Sequence, residues 1–113
     1  MQVMDELQEV IFSKDEEAEV RLLLDRPPLT CSPQAKVAQC LRRAVTTTIG
    51  SAPNECGVGY WMDAALFAAA GMDTVDYGPT GAGAHEAVEW VDSDSVVNCA
   101  VVLAEAAQLY CND

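Results

Sequence analysis

Residues 57–91 read GVGYWMDAALFAAAGMDTVDYGPTGAGAHEAVEWV, and this stretch decides the predicted fold. A short glycine-rich strand candidate, 54–60, overlaps its start and precedes an alanine-rich helix that Asp63 is placed to cap. The segment 72–77 is typical of a second strand, and it runs into a loop with three glycines and the only histidine, His85. Strands that alternate with helices favour parallel pairing in an α/β protein.

Towards the N terminus, the spacing of apolar residues predicts a helix at 1–12, then a charged connector and a strand at 18–26. That strand ends at two prolines, and we expect residues 27–32 to form a linker. A further helix is predicted to start at Ser32 and to end at Gly50. Its residues predicted to face the core are Val37, Leu41, Ala44 and Thr48.

The C-terminal part of the chain predicts one long helix that Asp92 or Ser93 caps. Its residues predicted to face the core are Val96, Ala100, Leu103, Ala107 and Tyr110. The fold class predicted from the whole pattern is α/β, a partial layered sheet flanked by helices. Ligands of such sheets lie beyond the carboxyl ends of the strands, which is where the glycine-rich loop falls.

The composition of the chain argues against two classes of partner. Six basic and 18 acidic residues give a formal net charge of −12, which repels nucleic-acid phosphates and anionic lipid surfaces. No basic segment followed by an apolar stretch opens the chain, and no apolar run is long enough to span a bilayer. We therefore expect a cytoplasmic protein that binds neither nucleic acid nor membrane.

The five cysteines form no CxxC pair, and their odd number and wide spacing argue against a disulfide framework and a zinc finger. We expect them to be buried free thiols, the usual state in a reducing compartment. They are Cys31, Cys40, Cys56, Cys99 and Cys111.

The glycine-rich loop lacks a self-contained signature for phosphate binding, zinc binding or a cysteine nucleophile. Gly78 and Gly83 have the spacing of a Walker loop, but that loop needs lysine and a hydroxyl residue next. This chain has Ala84 and His85 there, and Glu86 replaces the third glycine of a dinucleotide fingerprint. One imidazole cannot hold zinc without further ligands, and no local signature pairs it with a cysteine nucleophile. The residues alone leave a metal ligand and a structural histidine both open.

Five short elements between residues 62 and 91 follow one another in a specific order. They are Met62-Asp63-Ala64, the segment 71–77, Gly78-Pro79, Ala84-His85 and Glu89-Trp90-Val91. This pattern resembles the C-terminal part of the zinc-dependent amidohydrolases and peptidases that include acetylornithine deacetylase, succinyl-diaminopimelate desuccinylase, aminoacylase and glutamate carboxypeptidase. A weaker resemblance covers residues 19–111, most of the chain.

The resemblance implies roles for the loop residues. His85 matches the last ligand to one of two zinc ions in the complete enzyme, and Glu89 matches a glutamate that supports the ligand or the loop. The residues implied to shape the loop beside metal and substrate are Gly78, Pro79, Gly81 and Gly83. Asp63 is interpreted as a helix cap rather than a ligand. The implied reaction is hydrolysis of an N-acyl or peptide amide bond of an amino-acid-like substrate.

The family's general base and its other metal ligands come from motifs upstream of the matched region. This chain has no H-x-D motif, and Glu16-Glu17 lies in the charged connector, so we assign no catalytic residue here. The resemblance therefore implies a chain that is inactive alone, binds zinc at most weakly, and has the missing N-terminal half of the catalytic domain as its partner. The alternative is a non-catalytic fragment or acidic interaction module that keeps the fold without the chemistry.

The resemblance also implies a division of the chain. Residues 1–26 match the end of a lid or dimerisation domain, so a homodimer through this remnant is one expected assembly. Residues 27–32 are the linker, and residues 33–113 match the C-terminal part of the catalytic domain.

Three residues depart from the family pattern. Met62 replaces the usual threonine, and Ala65 stands where many relatives have an arginine suited to a substrate carboxylate. Asp76 puts a charge in an otherwise apolar strand, which costs several kcal/mol when a carboxylate is buried without a partner.

Overall fold

Four helices and a two-stranded sheet form the described part of the chain, residues 2–14 and 17–112 of a computed structural model. The helices are α1 Gln2–Phe12, α2 Lys36–Ile49, α3 Ala64–Ala69 and α4 Ser93–Asn112. The strands are β1 Gly81–Ala82 and β2 Trp90–Val91, and they pair antiparallel. All four predicted helices are therefore confirmed, whereas the sheet differs from the prediction.

The three predicted strands do not form. Residues 18–26, 54–60 and 72–77 lie in neither helix nor strand, and the described residues hold no parallel layered sheet. A strand needs a neighbour to which its backbone N–H and C=O groups bond, and the described chain offers none to these segments. Several of their apolar side chains stay exposed as a result: 86% of the surface of Leu23 is accessible to solvent.

The start of α2 lies later than the sequence predicts, and its end lies where it was predicted. The Ser32 hydroxyl accepts the Gln34 N–H at 3.2 Å and the Ser32 carbonyl accepts the Ala35 N–H at 2.9 Å, so this serine closes a turn ahead of the helix. Gly50 ends α2 in the left-handed conformation at φ 83°, and its N–H donates to the Thr46 carbonyl at 3.0 Å.

The core of the molecule lies between α2 and α4. Ala44 and Val102 are fully buried against each other's helices, with Val45 beside them. Across the same interface the Thr48 hydroxyl donates to a Glu105 carboxylate oxygen at 3.1 Å. The predicted inner face of α2 is confirmed, because all four of its residues are buried or half-buried.

The buried face of α4 was predicted wrongly. The residues that pack against α2 or lie buried are Cys99, Val102, Ala106 and Leu109, whereas Val96, Leu103 and Tyr110 of the predicted face are between 43% and 48% exposed. The helix is apolar on nearly every side, so its pattern does not single out one face.

No helix in the described ranges is long and apolar enough to cross a membrane.

The cysteines are free, as predicted, but only some are buried. Cys40 and Cys99 lie in the interior beside the α2–α4 core, and Cys31 is half-buried. Cys56 and Cys111 are exposed.

The N-terminal part of the chain is joined to the rest by a few polar contacts. The Val20 N–H donates to the Gln8 side-chain oxygen at 3.2 Å, which holds the following segment to α1. The Trp61 indole N–H donates to the Pro27 carbonyl at 3.2 Å, and the Arg26 guanidinium lies 5.9 Å from the centre of the Trp61 ring. The division into lid remnant, linker and catalytic part stays a prediction.

Candidate functional site

The glycine-rich loop forms a small β-hairpin. Strands β1 and β2 pair Gly81 with Val91 and Ala82 with Trp90, and residues 83–89 make the tip between them. The loop that the sequence singles out is therefore an ordered projection of the molecule.

Polar contacts fix the hairpin to the start of α4. The Asp92 N–H donates to the Thr80 carbonyl at 2.8 Å, and the Thr80 N–H donates to the Ser95 hydroxyl at 2.9 Å. The Asp92 carboxylate accepts the Ser95 N–H at 2.7 Å, which confirms the predicted cap. Sequence reasoning missed Ser95 as an anchor, because a serine three positions after a cap lacks the glutamate or glutamine that marks a capping box.

Two glycines are required by the hairpin itself. A Cβ on Gly83, whose φ is 78°, overlaps the Val88 carbonyl oxygen, and a Cβ on Gly81 lies 2.5 Å from the Trp90 carbonyl oxygen. A Cβ on Gly78 meets nothing within 4 Å. Because Gly81 and Gly83 have no side chain, the opposite strand of the hairpin can approach them closely. Any contact of these glycines with substrate stays a prediction.

His85 lies in the turn at the tip of the hairpin. The Glu86 N–H donates to the Gly83 carbonyl at 2.8 Å, which closes a four-residue turn with His85 at its third position. Its φ of 65° falls in the left-handed region that type II and type I′ turns require at this position. The imidazole is exposed and makes no hydrogen bond with any described residue, so both of its nitrogens are accessible.

The remaining site residues are also open to solvent. Glu89 and Pro79 are exposed, and the Glu89 carboxylate forms no ion pair within the described ranges. Asp63 occupies the N-cap position of α3, where its carbonyl accepts the Leu66 N–H at 2.9 Å, but its side chain makes no capping hydrogen bond. The hairpin therefore brings together the loop residues, which are close in sequence, and no hydrogen bond joins Asp63 to them.

The described residues do not by themselves make a zinc site. Residues 2–14 and 17–112 contain no group of three or more histidine, cysteine or acidic side chains placed to hold a metal ion. Catalytic zinc takes three protein ligands and structural zinc takes four, so His85 can be one ligand only if others come from elsewhere. Glu16 of the connector lies outside the described residues.

Asp76 does not incur the desolvation cost that burial of an unpaired carboxylate would bring. Its carboxylate is exposed, while the neighbouring Val75 and Tyr77 are half-buried. These three residues border a cleft of about 400 Å³ against α2 and α4. The alternation of exposure is that of a strand with one face on a core.

One ion pair of the described residues lies away from the hairpin. The Arg42 guanidinium donates to the Glu55 carboxylate at 2.6 Å, and this hydrogen bond holds the pKa of Glu55 below its usual range and raises the pKa of Arg42. Both side chains are well exposed, so water screens the attraction between them.

Comparison with known families decides the relationship. The model of peptidase family M20/M25/M40 matches residues 3–109. The chain belongs to this family. Curated proteins and solved structures gave no significant match. The M20/M25/M40 family is one of metallopeptidases and related hydrolases, so the resemblance recognised in the glycine-rich loop is confirmed.

Proposed function

We propose that the chain supplies the His85-bearing closing part of a two-zinc catalytic domain that hydrolyses N-acyl or peptide amide bonds of amino-acid-like substrates. The observation that carries this proposal is the match of the M20/M25/M40 family over residues 3–109. Its support in the geometry is the ordered hairpin, which presents an accessible imidazole at its tip.

His85 contributes an imidazole nitrogen as a metal ligand, and the hairpin holds that imidazole in place. The bonds of Thr80 and Asp92 at the start of α4 fix the direction in which the tip projects. A metal ligand needs such fixed placement, because errors in ligand position weaken binding and misdirect the substrate. Glu89 lies on the same hairpin and is proposed to support the loop when the domain is complete.

The other half of the site must come from residues that this chain does not place near His85. In the complete domain we expect segments 54–60 and 72–77 to be strands of an α/β layered sheet flanked by helices, and segment 18–26 to be a strand of the lid. The partner is then the N-terminal half of the catalytic domain, and the lid remnant, residues 1–26, is the proposed contact of a homodimer.

The test combines the chain with the N-terminal half of a complete family member by co-expression. We expect the pair to hydrolyse N-acetyl amino acids. We expect His85→Ala to lower this activity by at least about 100-fold, because loss of a residue that only supports a metal ligand already costs up to about 100-fold in activity. Glu86→Gln is the matched control, since Glu86 is the exposed neighbour of His85 in the same turn. A pair that stays active with His85→Ala contradicts the proposal.

Zinc binding is measured on the chain alone by equilibrium dialysis. We expect weak uptake that His85→Ala removes, because one imidazole is far from a complete ligand set. Tight stoichiometric zinc, or turnover by the chain alone that a chelator abolishes, would show that the chain holds a full site.

The second candidate function is a non-catalytic interaction module. It is favoured by the absence of a metal-ligating group from the described residues and by the net charge of −12, which suits binding to a basic surface. Failure of the pair to hydrolyse any substrate, with a stable complex between the two halves, supports this candidate over the first.

A further inference from the structure

The segment 73–79 crosses the molecule without backbone bonds of its own. None of its main-chain N–H or C=O groups forms a hydrogen bond with another described residue. Yet Val75 and Tyr77 are half-buried, and Tyr77 packs against the α2–α4 core. The segment is thus already laid on an apolar surface, and its hydrogen-bonding edge is unused.

A cleft continues this apolar surface beside the segment. It has a volume of about 400 Å³ and lies between the segment and the two core helices. Its walls are mainly apolar and include Leu41 of α2 and Leu103 and Ala107 of α4. A neighbouring strand needs such a surface for every second side chain.

The total exposed area indicates an occupant of macromolecular size. The chain exposes 8931 Å², whereas a compact monomer of its length exposes about 6,000 Å². The difference exceeds the roughly 1,600 Å² that a standard protein interface buries.

We infer that segment 73–79 accepts a β-strand from its partner polypeptide, and that this strand carries apolar residues opposite Val75 and Tyr77 and a lysine or arginine opposite Asp76. Directly opposed side chains of opposite charge stabilise a strand pair, and like charges destabilise it. The unused edge supplies the hydrogen bonds, as in β-augmentation. The inference rests on the proposed function in taking the partner to be the completing half of the domain.

A second copy of the chain does not fit this edge. Antiparallel pairing of the segment with itself, centred on Asp76, sets two aspartates opposite each other. The two chains would also each bring a net charge of −12. Both effects oppose self-pairing and favour a partner with a cation at this position.

The test uses two fluorescent peptides that alternate valine with threonine and differ only at the central outward residue, which is lysine or glutamate. We expect the lysine peptide to bind the full chain about fivefold more tightly in fluorescence anisotropy. Asp76→Lys should reverse the preference by a similar factor. Asp25→Lys is the matched control, because it makes the same charge change at an exposed site on another segment.

Backbone pairing is tested separately from charge. An N-methylated lysine peptide lacks the required donors and should not bind, and this arm needs no change to the chain. Binding of neither peptide, or a preference that Asp76→Lys leaves unchanged, overturns the inference. So does a dimer of the chain, seen by light scattering, that Val75→Pro dissociates, because the occupant is then a second copy.

Failure of this inference is distinguishable from failure of the proposed function. The peptide assay has no catalytic readout, and the co-expression assay has no peptide. If the pair is active and the chain binds no peptide, only the inference about segment 73–79 is contradicted. If the chain binds the peptide and the pair is inactive, only the hydrolase proposal is contradicted.

Discussion

Gly83 and Gly78 lie in the same loop, and their surroundings predict opposite responses to substitution. Gly83→Ala forces a Cβ into the Val88 carbonyl at a φ of 78°, and we expect it to lower the free energy of unfolding by about 1–3 kcal/mol. Gly78→Ala is the control, because its Cβ meets nothing within 4 Å. Urea denaturation measures stability, and hydrogen exchange of the Asp92 amide reports on the hairpin. Equal effects of the two substitutions would show that the hairpin does not form as described.

Glu55 and Arg42 give a prediction for pH. Because Arg42 lowers the carboxyl pKa of Glu55 in the folded chain, the pair stabilises the fold fully above the unfolded-state pKa. This contribution is lost as pH falls through the lowered folded-state pKa. We expect Arg42→Gln to raise the NMR titration midpoint of Glu55, whereas Arg43→Gln, the adjacent arginine, leaves it in place. An unchanged midpoint in Arg42→Gln contradicts the ion pair.

At the scale of elements, α4 offers a direct test of which face is buried. Val102 is fully buried and Val101 is 49% exposed, so the same substitution at the two sites should have unequal effects. We expect Val102→Ala to cost about 2 kcal/mol of unfolding free energy and Val101→Ala less than about 0.5 kcal/mol. Thermal unfolding followed by circular dichroism measures both. A larger effect at Val101 would contradict the buried face described for α4.

The sequence predicted the helices better than the strands, for a physical reason. Helix hydrogen bonds are local, so residues such as Gly50 and Asp92 mark helix ends without reference to the rest of the chain. Strand 72–77 depends on a neighbour that the described residues do not contain. The buried face of α4 was equally hidden, because a helix with apolar residues on nearly every side does not single out one face for burial.

The candidate site was predicted as far as its residues are local in sequence. The hairpin gathers Gly81, Gly83, His85 and Glu89 because they lie within one turn and two short strands. Ligands that meet His85 from distant positions require a fold that closes around the metal. The described residues do not supply that closure, so the sequence offers His85 only as a candidate ligand.

At the scale of the whole molecule, the chain is open. Its radius of gyration is 19.1 Å, whereas a compact domain of this length has about 13 Å. We expect small-angle X-ray scattering of the dilute chain to give a value near 19.1 Å, because the net charge of −12 opposes further collapse. A value close to that of a compact domain would mean that the exposed segments pack on the core in solution.

The demands of the hairpin on its glycines have an evolutionary consequence. Gly81 and Gly83 are needed to fold the loop, so selection for a soluble chain retains them even in a lineage that has lost catalysis. His85 makes no hydrogen bond with the described residues, so selection for folding alone requires only a residue that tolerates its left-handed φ of 65°, such as glycine or asparagine. On the proposed function, the glycines in descendants of this sequence record the fold of the loop, and His85 records whether the chemistry is still in use.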